Sequence, residues 1–179
     1  MADPHLPRLQ KMYDAVGGTG TPTLVVLEGT PHPKMRHQHG NGKTYQPDKD
    51  REAERLTTRV LRRAVPAMML TNVTVVCIFV VPDARTRDED NMMKHVKDAA
   101  NGVVYHDDRQ VTGEAARTEL DRDAPRTLIL IGDNDSTLDR TVDLDVIAQR
   151  KQAAARRKLE KGRAETIARL RGGRGQLYR

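Results

Sequence analysis

The chain has very few aromatic residues. Its 179 residues include four tyrosines, one phenylalanine (Phe79) and no tryptophan. Proteins that hold single-stranded nucleic acid usually stack the bases on aromatic side chains. Such a stacking surface is hardly available here, so any contact with nucleic acid must depend on charge and on the shape of the backbone.

Cysteine and long apolar segments are also scarce. Cys77 is the single cysteine, which excludes a disulfide within the chain, and its place in the apolar run 73–81 predicts a buried, reduced thiol. That run is the longest in the chain and is far shorter than the roughly 20 residues that span a bilayer. Residues 1–10 have no apolar signal segment. We therefore expect a cytoplasmic protein with no membrane association.

Positive charge is concentrated at one end of the chain. Residues 1–149 carry 20 Lys and Arg against 23 Asp and Glu, whereas residues 150–179 carry 11 against 2. This asymmetry indicates a polyanionic partner, in the first place nucleic acid, although an anionic membrane surface or an acidic protein would satisfy the same charge. The basic residues expected to contact DNA phosphates in this tail are Arg150, Lys151, Arg156, Arg157, Lys158 and Lys161.

The hydrophobic pattern predicts an α/β fold with the element order β-α-β-α-β-β. Apolar runs predict strands at 24–29, 71–81, 109–119 and 126–131, and helical periodicity predicts helices at 48–64 and 88–101. We expect a small mixed four-stranded sheet with two packed helices, followed by a basic C-terminal helix over 146–170. The expected organisation is a loosely ordered arm at 1–22 with a short helix around 9–16, a folded domain at 23–132, and a linker with a helical tail at 133–179.

The second predicted helix carries a polar face of reactive side chains. On a helical wheel, Asp90, Lys94 and Asp98 share one face, and Asp88 stands at the helix start. Asp108 lies in the turn that leads into the third strand. If that strand pairs beside the start of the helix, Asp88, Asp90 and Asp108 converge. Clustered carboxylates are suited to hard divalent cations, which can activate water and polarise a phosphate.

Each of these acids also has an ordinary structural interpretation. Asp88 and Asp90 are typical of a helix start, and the Asp107–Asp108 pair is typical of a turn. An EF-hand is excluded, because positions six and twelve counted from Asp88 are Met93 and Ala99 instead of Gly and Glu. The acids and Lys94 taken together favour a catalytic site over these separate structural roles.

The spacing of this segment resembles the signature of the RusA family of Holliday-junction resolvases, of the type found in bacteria and their phages. The resemblance rests on Asp88-x-Asp90-Asn91-x-x-Lys94-x-x-x-Asp98-Ala99-x-Asn101-Gly102 followed by Asp107-Asp108-x-Gln110-Val111. It extends over roughly residues 24–131, and the loop Lys34-Met35-Arg36-His37 ending near Tyr45 also fits. A phage-encoded member would act in the cytoplasm of its bacterial host.

The resemblance implies a homodimeric endonuclease that depends on Mg²⁺, for which Mn²⁺ can substitute, and that resolves four-way DNA junctions in recombination and repair by paired nicks. It implies that residues 23–132 are the nuclease domain. Asp88, Asp90 and Asp108 would bind the metal and, with Lys94, form the catalytic set; Asn91, Asp98 and Asp107 would support them. The chain departs from the family at Thr118, where members often carry a lysine.

The loop between the first strand and the first helix has two interpretations with equal support. Lys34, Arg36, His37 and Lys43 could hold phosphate oxygens, or they could belong to an ordinary solvated loop. His32, His37 and His39 in the same loop lack a cysteine or a further ligand at fixed spacing, so we do not expect a zinc site there.

Two other functions remain open from the sequence. One is a broader structure-selective nuclease that acts on flaps or forks. The other is a catalytically silent DNA-binding accessory protein with the same fold. The complete acidic set and Lys94 argue against silence, because carboxylates close to phosphates bring no advantage to a protein that only binds DNA.

Overall fold

The computed structural model describes residues 3–36, 38–40, 43–85 and 88–172. The elements in this part of the chain are the helices α1 (Leu6–Ala15), α2 (Asp48–Ala64), α3 (Glu89–Ala100) and α4 (Leu144–Gly172), and the strands β1 (Gly18–Glu28), β2 (Gln38–Gly40), β3 (Lys43–Tyr45), β4 (Val73–Val81), β5 (Val111–Leu120) and β6 (Arg126–Asn134). A short 3₁₀ turn, Asp108–Gln110, precedes β5.

Four of the strands form one mixed sheet in the order β1-β6-β4-β5. β6 lies between β1 and β4 and pairs antiparallel with both, whereas β4 and β5 are parallel. Because parallel neighbours cannot be joined by a tight turn, the chain returns from the end of β4 to the start of β5 through α3. β2 and β3 form a separate antiparallel hairpin within the loop that connects β1 to α2.

The central strand β4 explains how the folded layers are arranged. All nine of its residues are buried, and alternate side chains point to opposite faces of the sheet. Val75, Cys77 and Phe79 pack on the face covered by α2 and α3. Val76, Ile78 and Val80 pack on the other face, which α1 covers. A continuous apolar run is what a strand buried on both faces requires.

The predicted fold class and element order are confirmed. α2 has the predicted bounds, and β4 and α3 fall within the predicted strand and helix. β5 begins two residues later than predicted, because Asp108–Gln110 form the 3₁₀ turn. Cys77 is fully buried as predicted, and this burial raises the pKa of its thiol.

The N-terminal segment packs on the sheet. Residues 1–22 were expected to be a loosely ordered arm with a short helix around 9–16; the structure has this helix as α1 and also places the first residues of β1 in the segment. Leu9 and Tyr13 are buried against the sheet, and the Tyr13 hydroxyl donates to the carbonyl of Thr19 at 2.7 Å. The apolar face of β4 that α2 and α3 leave uncovered provides the physical reason for this packing.

The described residues of the C-terminal segment, 143–172, belong to a separate compact unit. α4 spans the predicted helix 146–170 and continues through Gly162, and its described side chains are almost all exposed. Among the residues that the structure describes, no helix has both the length and the apolar character needed to cross a membrane.

The packing of α1 leads to the first prediction. Leu9→Ala should lower the free energy of unfolding by about 2–5 kcal/mol, because it leaves a cavity between α1 and the sheet. Lys11→Ala, at an exposed position of the same helix, is the matched control and should change it by about 0.5 kcal/mol or less. Urea denaturation measures both variants. Equal stability of the two would mean that α1 is not part of the cooperative fold.

Candidate metal-binding and nuclease site

Asp88 caps the start of α3. Its Oδ1 accepts a hydrogen bond from the backbone N–H of Asn91 at 3.1 Å, and its Oδ2 accepts one from Asn91 Nδ2 at 2.6 Å. The capping interpretation is therefore correct, and Asn91 fixes the orientation of the carboxylate. Asp88 is nevertheless exposed, so its remaining lone pairs face solvent. Capping and metal binding are compatible at this position.

Asp90 and Lys94 lie on the solvent side of α3. Both are exposed and stand one helical turn apart, whereas Met92, Met93 and Val96 are buried on the core side. The start of α3 thus presents the carboxylates of Asp88 and Asp90 together with an ammonium group. Carboxylate oxygens accessible to solvent are a donor set that fits a hard divalent cation such as Mg²⁺.

The turn before β5 separates the roles of its two acids. Asp107 accepts from the backbone N–H of Arg109 at 3.0 Å and pairs with its guanidinium, which holds the pKa of Asp107 well below its usual range. The buried Gln110 side chain accepts from the N–H of His106 and donates to the carbonyl of Met69. These contacts build the turn and leave Asp108 exposed at its first position.

The acids at the start of α3, Asp88 and Asp90, and the acid of the turn before β5, Asp108, lie at opposite ends of α3 within one chain. Thr118, near the end of β5, donates to Glu89 at the start of α3 at 2.9 Å. Farther along the helix, Lys97 pairs with Glu114 at 2.6 Å. α3 therefore runs antiparallel to β5, and Asp108, which comes just before β5, lies toward the end of the helix, away from Asp90.

The predicted convergence therefore does not occur within one chain. It required β5 to begin beside the start of α3, but β5 is parallel to β4 and begins near Thr71 and Val73. Asp88 and Asp90 share one location and Asp108 has another. The assignment of these three residues and Lys94 as a catalytic set stays a prediction.

Lys34 has a different environment from the one predicted. Its ammonium lies 2.7 Å from Glu54 Oε2, 3.1 Å from Asp98 Oδ2 and 3.6 Å from Asp50 Oδ2, and its side chain is only 10% exposed. Burial opposes the charged form, but hydrogen bonds to Glu54 and Asp98 outweigh burial and raise the pKa of Lys34. This ammonium is already neutralised by carboxylates, so the geometry argues against a phosphate contact.

The same ion pairs change the interpretation of Asp98. It was expected to support metal ligands at the start of α3, but its carboxylate faces Lys34 two turns farther along the helix. Lys34 also donates its backbone N–H to the carbonyl of Asn91 at 2.9 Å. Lys34 and Asp98 thus anchor the loop after β1 to α3.

Other predicted DNA contacts are distributed between the loop and the tail. Arg36 is exposed in the loop, and Arg150, Arg156, Arg157, Lys158 and Lys161 are exposed on α4. His37 lies outside the described residues, as do the side chains of Lys43 and Lys151. Their proposed phosphate contacts stay predictions.

A histidine–carboxylate cluster lies beneath the loop after β1. Ligand atoms of His32, Asp50 and His95 all lie within 4.8 Å of one another, the single such group of potential metal ligands among the described residues. Asp50 and His95 are buried. The Asp50 carboxylate accepts from His32, Gln46 and the N–H of Met35; burial opposes this ionisation, but the hydrogen bonds lower the pKa of Asp50.

Sequence reasoning missed Asp50 and His95. His95 offered one signal, because it falls among the apolar residues Met92, Val96 and Ala99 of α3 as a polar side chain on a buried face. Asp50 offered none, since an acid in the first turn of a helix is common. Only the packing of α2 against α3 brings these residues to His32.

Comparison with known proteins identifies the family of the folded domain that precedes α4. The family model described as endodeoxyribonuclease RusA matches residues 27–132. This range contains the start of α3, the turn before β5 and the histidine–carboxylate cluster. A search among curated proteins returned no match.

The environment of Lys34 generates the second prediction. Lys34→Met should lower the free energy of unfolding by about 1–3 kcal/mol, because three carboxylates lose the ammonium group that they share as a hydrogen-bond donor. The salt dependence of DNA binding should stay unchanged. Arg36→Gln, at an exposed position of the same loop, is the control and should leave stability unchanged. Reduced DNA affinity of Lys34→Met at full stability would contradict this structural role.

Proposed function

Because the chain belongs to the RusA endodeoxyribonuclease family, whose activity is on DNA junctions, we propose that it is a Mg²⁺-dependent homodimeric resolvase that cuts four-way junctions by paired hydrolysis. The observation that carries this proposal is the pair of exposed acidic positions at the two ends of α3. The exposed carboxylates at the start of α3 and before β5 would provide a nuclease with metal ligands on a surface that DNA can approach.

The separation of the two acidic groups supports a site shared between two protomers. Ligands of one divalent cation must lie within a few ångströms of one another, roughly 2.0–2.1 Å each from the metal for Mg²⁺. Asp108 does not meet Asp90 within one chain. We therefore assign each active site to Asp88 and Asp90 of one protomer and Asp108 of its partner.

The edge strand β5 provides a way to assemble such a site. If β5 pairs antiparallel with β5 of a second copy about a two-fold axis perpendicular to the sheet, the start of each β5 lies beside the end of the other. The end of β5 is where α3 begins, as the contact between Thr118 and Glu89 marks. This pairing brings Asp108 of each protomer toward Asp88 and Asp90 of its partner. It also keeps both α3 helices on the same face.

The chemistry required of the residues follows from their positions. Asp88, Asp90 and Asp108 would hold Mg²⁺, which when bound supplies Lewis-acid activation of a phosphate and of water. Asn91 keeps the Asp88 carboxylate oriented through two hydrogen bonds. Lys94, exposed one turn after Asp90, would stabilise negative charge that develops on the phosphate oxygens. Two such sites related by two-fold symmetry match the symmetry of a junction cut on opposed strands.

The third prediction tests the metal ligand on α3. Asp90→Asn should abolish cleavage, a loss of about 100-fold or more, because it removes a negatively charged ligand without a change of shape. Junction binding should be retained or improved, since one negative charge near phosphate is removed. Asp135→Asn, an exposed acid away from α3, is the matched control. Cleavage of a synthetic four-way junction with and without Mg²⁺ measures both, and equal rates for Asp90→Asn and the native protein would reject the assignment.

The fourth prediction tests the shared site directly. A heterodimer of an Asp90→Asn protomer and an Asp108→Asn protomer, purified with two different affinity tags, has one intact site and one doubly altered site if the acids act between protomers. It should nick at roughly half the native rate, because one of two equivalent sites remains. Both altered homodimers should be inactive. If all three acids acted within one chain, both sites of the heterodimer would be defective and no nicking would be restored.

The fifth prediction concerns the basic tail. Truncation after Gln149 should weaken junction binding and flatten its salt dependence by about 0.9 log unit per decade of salt for each lost phosphate contact. Cleavage at saturating enzyme should barely change, because Asp88, Asp90 and Asp108 lie outside the tail. An unchanged salt slope would show that the tail serves another partner. A loss of the saturated rate would show that it shapes the active site.

A further inference from the structure

The cluster of His32, Asp50 and His95 has no part in the proposed cleavage reaction. We propose that it is a second metal site, specific for a transition-metal ion of the Zn²⁺ class. His32 belongs to the loop after β1, Asp50 to α2 and His95 to α3. A cation held by these three side chains would join the loop to both helices that cover this face of the sheet.

One ligand distance in the cluster is close to that of a tetrahedral site. Ligands about 2.0–2.1 Å from Zn²⁺ lie roughly 3.3–3.4 Å apart when they occupy corners of a tetrahedron. His32 Nε2 lies 3.1 Å from Asp50 Oδ1, and the three ligand atoms are within 4.8 Å of one another. A metal ion would take the place of the proton that His32 Nε2 and Asp50 Oδ1 share. Two imidazoles and one carboxylate leave a fourth position for water.

His95 supplies an independent observation. Its Nδ1 is buried and has no hydrogen-bond partner among the described residues, whereas its Nε2 lies 3.0 Å from Thr57 Oγ1. A buried polar atom without a partner is costly. If Nε2 carries the proton and donates it to Thr57, the lone pair lies on Nδ1, and a metal ion would satisfy it. A hydrogen bond from the other ring nitrogen is the usual arrangement around a metal-bound histidine.

The surrounding charges favour a divalent cation of the nitrogen-binding type. Asp50, Glu54 and Asp98 bring three carboxylates around the single ammonium of Lys34, so the group keeps an excess of negative charge. Imidazole ligands suit Zn²⁺, Co²⁺ and Ni²⁺, whereas Mg²⁺ prefers oxygen ligands. A pocket of about 440 Å³ lined in part by His32, Thr57 and His95 offers a path for entry.

The experiment is a titration of the metal-free full chain with Co²⁺, whose visible absorption reports its ligands. In the presence of millimolar Mg²⁺, which occupies the carboxylates of the proposed nuclease site, we expect one Co²⁺ per chain, its displacement by Zn²⁺, and a rise of the melting temperature on binding. His32→Asn should weaken Co²⁺ binding at least tenfold. His106→Asn, a histidine in the turn before β5, is the matched control and should bind like the native chain, as should Asp90→Asn.

The outcomes separate this site from the proposed nuclease site. Normal Co²⁺ binding by an inactive Asp90→Asn variant supports two independent sites. Lack of saturable Co²⁺ binding by the native chain, or equal binding by His32→Asn, would overturn the proposal, whatever the nuclease assay shows. Because His32 is partly exposed, its substitution should preserve the fold, which circular dichroism of the metal-free variant checks. If His32→Asn unfolds, His32→Gln decides the question by the same titration.

Discussion

The parallel alignment of β4 and β5 is the constraint on which the arrangement of the candidate sites depends. Two parallel strands need a connection that returns along the full length of the sheet, and α3 provides it. The residues that begin this crossover lie at one end of the sheet, and those that end it lie at the other. Asp90 and Asp108 are therefore separated by the topology itself, however closely they follow each other in the chain.

The same crossover fixes the position of the histidine–carboxylate cluster. α3 packs on α2, so that Thr57 meets His95 and Thr58 donates to the carbonyl of Ala99 at 3.0 Å. Lys34 then anchors the loop after β1 across the ends of both helices. The loop that was expected to reach toward DNA is tied to the core at its base by buried or half-buried polar contacts. Its remaining exposed cation among the described side chains is Arg36.

Much of the fold could be predicted because its signals are local. The amphipathic periodicity between Pro47 and Pro66 predicted the bounds of α2. The unbroken apolar run of β4 predicted a central strand. The same run also indicated a third helix, although the sequence analysis did not use it. A strand buried on both faces needs packing elements on both faces of the sheet, and two helices on one face leave the other face exposed. Leu9 and Tyr13 of α1 supply this cover.

The candidate sites were less predictable, because they depend on contacts between distant segments. The sequence shows where the acids lie along α3. It does not show whether β5 pairs parallel or antiparallel with β4, and this direction decides whether Asp108 lies close to Asp90. Likewise, His32, Asp50 and His95 are spread over three elements, and no fixed spacing relates them. Lys34 looked like a phosphate ligand because its carboxylate partners, Glu54 and Asp98, are remote in sequence.

The uneven distribution of charge along the chain bears on how the separated acids Asp88, Asp90 and Asp108 would act on DNA. Residues 1–149 carry the carboxylates that a nuclease needs, and these carboxylates repel the DNA that the enzyme must approach. The positive charges, in contrast, are concentrated in residues 150–179. A monomer that has only half of a metal site has little capacity to cut DNA, even when its tail is bound. Under the shared-site arrangement, cleavage requires two chains on the same junction. On the same proposal, the tail would raise the local concentration of chains on DNA, and the acids would act only where two chains meet.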